Sequence, residues 1–208
     1  MDMIRTIVAA LMIITSVSCC DTSENTNEME NGNAVIENIM SRRSIRKYSP
    51  ETVSRDVLTK IMECGINAPN GMNRQSWEVR IVDDPTLMEE IKEAMAKGHP
   101  DLDPEMVKGC FRGAPVMVFI ARDLAYDFSA IDCGLMAENI CLSAWSLGVG
   151  SICLGSPVRF LTDNEECRPY MERLGFSDGY ELCLCIGLGY ADEAPDAKPR
   201  DMSKVRFL

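Results

Sequence analysis

Three arginines and a serine fall within five positions, at Arg42, Arg43, Ser44 and Arg46. A guanidinium presents a planar fork of donors, so such a group suits a phosphate. The plainer reading, cations offsetting the dipole at a helix C-terminus, is favoured when the segment is taken alone. A second candidate is Asn73-Arg74-Gln75, which follows Asn70-Gly71 in a turn-rich stretch. The amides of Asn73 and Gln75 both donate and accept, which suits the edge of a heterocycle, although a polar loop needs no such role. Lys198-Pro199-Arg200 adds two more cations just past the last apolar run, and its plainer reading is an exposed charged tail.

Other chemistries are excluded by what is missing. The chain has one histidine, His99, in Gly98-His99-Pro100, which reads as a solvated turn. That leaves no multi-histidine metal centre and no imidazole to spare for a Ser-His-Asp triad. No metal site is expected. Gly148-Val149-Gly150 and Gly187-Leu188-Gly189 imitate a dinucleotide fingerprint, but Cys153 and Asp192 stand where the third small residue belongs. The first pattern also follows a helix rather than a strand, so a Rossmann site is rejected. A net charge of -11 argues against a general nucleic-acid binder. Ten cysteines include no C-x-x-C pair. Cys133, Cys141, Cys153, Cys183 and Cys185 lie in apolar runs and read as small buried hydrophobes. Cys183 and Cys185 are expected on one face of a strand.

The elements that must position these groups can be read from periodicity. Asp127 to Leu147 has helical spacing with almost no polar face, so burial on most sides is expected. Its small residues, Ala130, Gly134, Ala137 and Cys141, form a stripe suited to close backbone approach. The helix delivers an apolar strand from Val149 to Gly155 with glycines at both ends. Further helices are expected near Val35–Met40, from Ser54 or Arg55 to Cys64, from Pro85 to Met95 and from Asp163 to Leu174. Strands are expected at Trp77–Asp83, Pro115–Ala121 and Tyr180–Gly187, and Gly98 to Gly113 reads as loop with one short helix. The class is α+β, a central mixed sheet flanked by helices.

Three divisions follow along the chain. Residues 1–18 read as an export segment: Arg5, the apolar run Ile7–Ile14, then Ser16-Val17-Ser18 before Cys19. This resembles a bacterial lipoprotein site with Cys19 as the lipid anchor, although Ser16 replaces the usual leucine; a plainly cleaved signal or an N-terminal anchor are the alternatives. Residues 19–33 read as a polar, disordered tether. Residues 34–208 form the folded domain, placed outside the cytoplasm on the lipoprotein reading and in the cytoplasm otherwise.

In order and spacing, four motifs together resemble the nitroreductase family. They are Arg42-Arg43-Ser44-Ile45-Arg46-Lys47-Tyr48; Ala68-Pro69 to Asn73-Arg74-Gln75-Ser76-Trp77; Gly148-Val149-Gly150-Ser151 to Leu154-Gly155; and Gly187-Leu188-Gly189-Tyr190 with Lys198-Pro199-Arg200. Ser76 departs from the family's proline before tryptophan, and Gly98 to Gly113 is short where the family often covers its substrate. The resemblance implies a nitroreductase-like dimeric fold and an FMN cofactor. Arg42, Ser44, Lys198 and Arg200 would hold the phosphate and ribityl chain, with Arg43 assisting. Asn73 and Gln75 would reach the ribityl or ring edge. Cys153, Leu154 and Gly155 would lie against the isoalloxazine, and Arg46, or one of the phosphate-side cations, would place positive charge near N1 and the C2 oxygen of the ring. It further implies hydride transfer from NAD(P)H or another donor to flavin N5, then to a nitroaromatic, quinone or similar acceptor, with no catalytic side chain. Alternatives are an exported flavin-binding lipoprotein without NAD(P)H turnover, or a dehalogenase or flavin-destructase on the same fold. The family's members share flavin sites between subunits, so a homodimer is expected.

Overall fold

The computed structural model describes residues 33–208. The export segment, the Cys19 anchor and the tether before Asn33 lie outside the described residues. Helices open where side chains can satisfy their free amides. Asn33 caps α1 (Ala34–Ser41), its Oδ1 accepting from Val35 N and Ile36 N. Ser54 caps α2 (Arg55–Ile66), and Asp84 with Pro85 opens α3 (Pro85–Lys97). Asp103 with Pro104 does the same for α4 (Pro104–Lys108). The long helix α5 (Ser129–Ser146) ends before Gly148, whose φ of +75° turns the chain into β3 (Gly150–Leu154). A helix not foreseen, α6 (Ser156–Leu161), follows at once with Pro157 in its first turn. The single helix expected over Asp163–Leu174 is a 3-10 turn at Glu165–Cys167 running into α7 (Arg168–Leu174). None of the described helices is long and apolar enough to cross a membrane.

Four strands, β1 (Trp77–Val82), β2 (Val116–Asp123), β3 and β4 (Tyr180–Gly189), form one sheet in the order β1-β2-β4-β3. Every ladder in it is antiparallel. The mixed character expected of the sheet is reduced to a parallel bridge between Ser44 and Ser151. Both faces are covered, which is why β2 reads as an unbroken apolar run. On one face Leu58, Ile61, Met136 and Ile140 of α2 and α5 meet Val118, Ile120 and Ile186. On the other, Met88, Ile91, Met95, Phe111 and Leu161 meet Phe119, Leu182 and Cys185.

Two expectations are corrected by packing. Ile120 pairs with Leu184 but Ala121 pairs with Leu182, so Cys183 is an extra residue at a β-bulge. The bulge resets the alternation: Cys183 packs on the α5 side and Cys185 on the opposite one, not on a shared face. Helix α5 is not buried on most sides within one chain. Cys133, Met136, Ala137, Ile140, Cys141 and Ala144 face inward. Phe128, Ile131 and Leu135 face out, at 57%, 58% and 42% exposure, so the small-residue stripe divides between the two faces. Ala130, Gly134 and Glu138 are exposed with them. Helix α1, tied to α5 by Asn38 Nδ2 donating to Leu142 O (2.9 Å), adds exposed Val35, Ile36, Ile39 and Met40.

Candidate functional site

Residues 42–49 run along the free edge of β3. Ile45 N donates to Ser151 O (3.0 Å), and Ile45 is fully buried. The segment leaving β4 straps it from the other side: Ser49 N donates to Tyr190 O (2.9 Å) and Asp192 N to Lys47 O (3.0 Å). The Glu193 carboxylate accepts from Arg46 N and from Lys47 N. Glycines make this fit. A Cβ on Gly150 would lie 2.8 Å from Ile45 Cγ1, and one on Gly189 would lie 2.7 Å from Tyr48 Cδ1. The second glycine of each pattern that mimics a nucleotide fingerprint, Gly150 and Gly189, thus leaves space for the 42–49 segment.

This strapping brings together two cationic stretches remote in sequence. Arg42, Arg43, Ser44 and Arg46 face Lys198 and Arg200 across a cleft of about 380 Å³, which Ile39, Met40, Glu138 and residues 195–197 complete. Its lining carries five cations against two carboxylates, Glu138 and Asp196, in a chain whose net charge is -11. The guanidiniums of Arg43, Arg46 and Arg200 bond to nearby backbone carbonyls of their own segments. Arg42 Nε lies 3.6 Å from Glu138 Oε1, yet it is buried without a hydrogen-bond partner. A buried orphan donor of this kind is costly unless a ligand completes it, so the donor set fits a phosphate monoester.

The other expected site residues divide. Cys153 is exposed at the end of β3, within the fields of Arg42 and Glu138. Leu154 turns its side chain into the core, leaving only its backbone for a ligand. Gly155 has an ordinary φ of -91°, and a Cβ there would meet nothing within 4 Å. The chain itself does not demand glycine at 155, and the space above it is open. Asn73 and Gln75 are not among the residues that line the cleft. They sit in an exposed loop with left-handed backbone at Met72, Asn73 and Gln75 (φ 52°, 53° and 50°).

That loop is held by a residue without a signal in the sequence. Asp132, buried on α5, accepts from Gly71 N (3.0 Å) and from Ser76 Oγ (2.7 Å). Asn70 Oδ1 accepts from Gln75 N (2.9 Å), and the Arg74 guanidinium lies 4.5 Å over the Tyr126 ring. Ser76, which replaces the family's proline, is therefore a donor to a buried carboxylate. Left-handed conformations cost about 1–3 kcal/mol each and persist only when their surroundings dictate them. Asp132→Ala removes two hydrogen bonds to a charged acceptor, about 1.5–3 kcal/mol apiece. It should lower the melting temperature by several degrees and make the bond after Arg74 the first cut by trypsin. Wild-type melting with an uncut loop would refute the latch.

His99 is half-buried rather than fully solvated: its Nδ1 lies 2.9 Å from Met95 O, and its ring meets Phe160 edge-on. Beyond Gly155, Ser156, Arg112, Arg159, Met106 and Phe160 help line a second cavity of about 580 Å³, which no sequence pattern marked.

The site can now be set beside known proteins. Residues 39–190 match the Nitroreductase family. The chain belongs to that family. A nitroreductase of Desulfitobacterium hafniense, solved with bound FMN, is 30% identical and superposes with a TM-score of 0.76 over 85% of this chain and 99% of that one. A nitroreductase of Bacteroides fragilis with bound FMN is 26% identical, also at 0.76, covering 85% of this chain and all of that one. A NADPH-flavin oxidoreductase of Vibrio harveyi is 27% identical over 178 residues, 81% of this chain and 70% of the relative. The family match includes the Arg42–Arg46 wall of the cleft and ends before the Lys198–Arg200 wall.

Proposed function

We propose that this protein is an FMN-dependent NAD(P)H oxidoreductase of the nitroreductase type. The observation that carries the reading is the cleft in which Arg42, Ser44, Lys198 and Arg200 converge around an unpartnered buried donor. Those residues would hold the FMN phosphate and ribityl chain, with Arg43 and Arg46 adding positive field. When bound, FMN supplies the centre that takes up a hydride and passes it on. The chain contributes orientation: Gly155 and the backbone of Leu154 leave a flat face, and Cys153 lies at its border. No general acid or base is required of a side chain, and water can deliver the proton. The acceptor on this reading is a flat, electron-poor molecule such as a nitroaromatic or a quinone.

The reading includes a homodimer. Asn73 and Gln75 stand apart from the cleft of their own chain, and the outward stripe of α5 with α1 is apolar. A two-fold partner would cover that stripe and bring its own Asn73 and Gln75 to the cofactor.

An absorbance spectrum of the purified protein, with anaerobic titration by NADH, NADPH and dithionite, tests the function. A flavin spectrum bleached by a nicotinamide is expected. A flavin indifferent to both nicotinamides, but reduced by dithionite, would make the protein a binder or point to another donor. A colourless protein that does not retain added FMN would end the reading.

A further inference from the structure

Cys141 on α5 and Cys153 on β3 meet across the helix–sheet interface with their sulfurs 3.6 Å apart, and both are free thiols. The pair is asymmetric. Cys141 is buried, while Cys153 is exposed at the end of an edge strand. The Cys141 thiol hydrogen-bonds to Cys153, which together with burial holds Cys141 far above the usual thiol range. The same bond holds Cys153 below it; partial desolvation and then Glu138 oppose this, and the Arg42 guanidinium assists. Cys110 and Cys167 lack such a partner: burial pushes Cys110 up to about 12 and Cys167 to about 11. An exposed thiol with a lowered pKa and a buried thiol in contact with it are the two parts of a thiol–disulfide exchange centre.

We propose that Cys141 and Cys153 form a reversible redox pair that exchanges two electrons with small-molecule disulfides beside the Arg42–Glu138 end of the cleft. The Cys153 thiolate attacks one sulfur of a disulfide RS–SR, forming a mixed disulfide and releasing RS⁻. Cys141 then gives up its proton and attacks Cys153 Sγ, forming the Cys141–Cys153 bond and expelling the second RS⁻. The two thiol protons leave on two RSH molecules; the protein is oxidised by two electrons and the small disulfide is reduced. Closure needs the sulfurs to come from contact to about 2 Å. Beyond Ser151, where the 42–49 segment bridges its other edge, β3 is paired with β4 alone and ends at exposed Gly155. The step consumes no cofactor, although on the proposed reading FMN would lie beside Cys153, and its readout is a covalent bond rather than turnover.

The test equilibrates the purified full-length protein with graded ratios of oxidised to reduced glutathione, alkylates the remaining thiols and maps the peptides by mass. A joined Cys141–Cys153 peptide should rise with the ratio and vanish with dithiothreitol. In Cys141→Ser, glutathione should stay attached to Cys153; in Cys153→Ser, Cys141 should remain alkylatable only after unfolding. A second pair, Cys133 with Cys183 at the bulge, faces the same helix, and its outer thiol is held at about 7. A bond confined to that pair, with Cys141 and Cys153 still free, overturns the proposal. So does glutathione held on Cys153 of the wild-type protein without closure.

Discussion

Replacing Arg42 and Arg200 together by alanine is expected to weaken FMN binding by about two orders of magnitude or more. A charge-assisted hydrogen bond contributes about 1.5–3 kcal/mol, and about 1.4 kcal/mol is tenfold in affinity. The cleft lining would fall from five cations against two carboxylates to three against two. Glu138 would also lose its nearest cation, placing unopposed negative charge beside the phosphate. Neither guanidinium supports the core: Arg42 makes a long ion pair to an exposed carboxylate, and Arg200 bonds to its own neighbours. Melting of the cofactor-free variant should therefore stay close to wild type while flavin fluorescence titration shows the loss. Unchanged affinity would remove these residues from the site.

Gly134→Leu should lose both the dimer and the flavin. The strength of this prediction lies in what the single chain permits. A Cβ on Gly134 meets nothing within 4 Å of its own chain, and its φ is not in the left-handed range, so one subunit accommodates the change. Leucine also favours a helix over glycine by nearly 1 kcal/mol. Within a monomer the variant should be neutral or slightly more stable. If α5 meets its copy across a two-fold axis near Ile131, Gly134 and Leu135, the added side chain separates the backbones and opens the interface. A large apolar interface couples folding to association, so the wild-type unfolding midpoint should rise with protein concentration. Sedimentation equilibrium on both proteins decides it. A flavin-loaded wild-type monomer at micromolar concentration, or a variant dimer of unchanged affinity, contradicts the shared site.

Much of this was legible in the residues, and the illegible parts have physical causes. The strands and main helices follow apolar periodicity and punctuation by glycine, proline and capping residues, as at Ser54, Asp84 and Gly148. The two arms of the cleft were visible as clustered cations, although only the resemblance joined Arg42–Arg46 to Lys198–Arg200. Periodicity could not report the bulge at Cys183, because an inserted residue in a strand apolar on both faces leaves no break in hydrophobicity. It also overstated the burial of α5, since an apolar stripe reads alike whether it meets its own core or a partner. Asp132 was hidden for a different reason: a buried carboxylate holding a loop 56–61 residues away has no local pattern.

The strap of Glu193 on Arg46 spans 147 residues, so the two walls of the cleft leave the ribosome far apart in time. At roughly 5–20 residues per second, the interval is about seven to thirty seconds. Until the later segment arrives, the arginine-rich wall has neither its opposing cations nor the carboxylate that fixes its backbone. If these walls hold the cofactor as proposed, its capture waits for chains whose sheet has closed, and a molecule cut short of Glu193 should bind flavin poorly. Flavin would then act as a clasp on finished molecules, adding its binding free energy to the closure between distant parts of the chain.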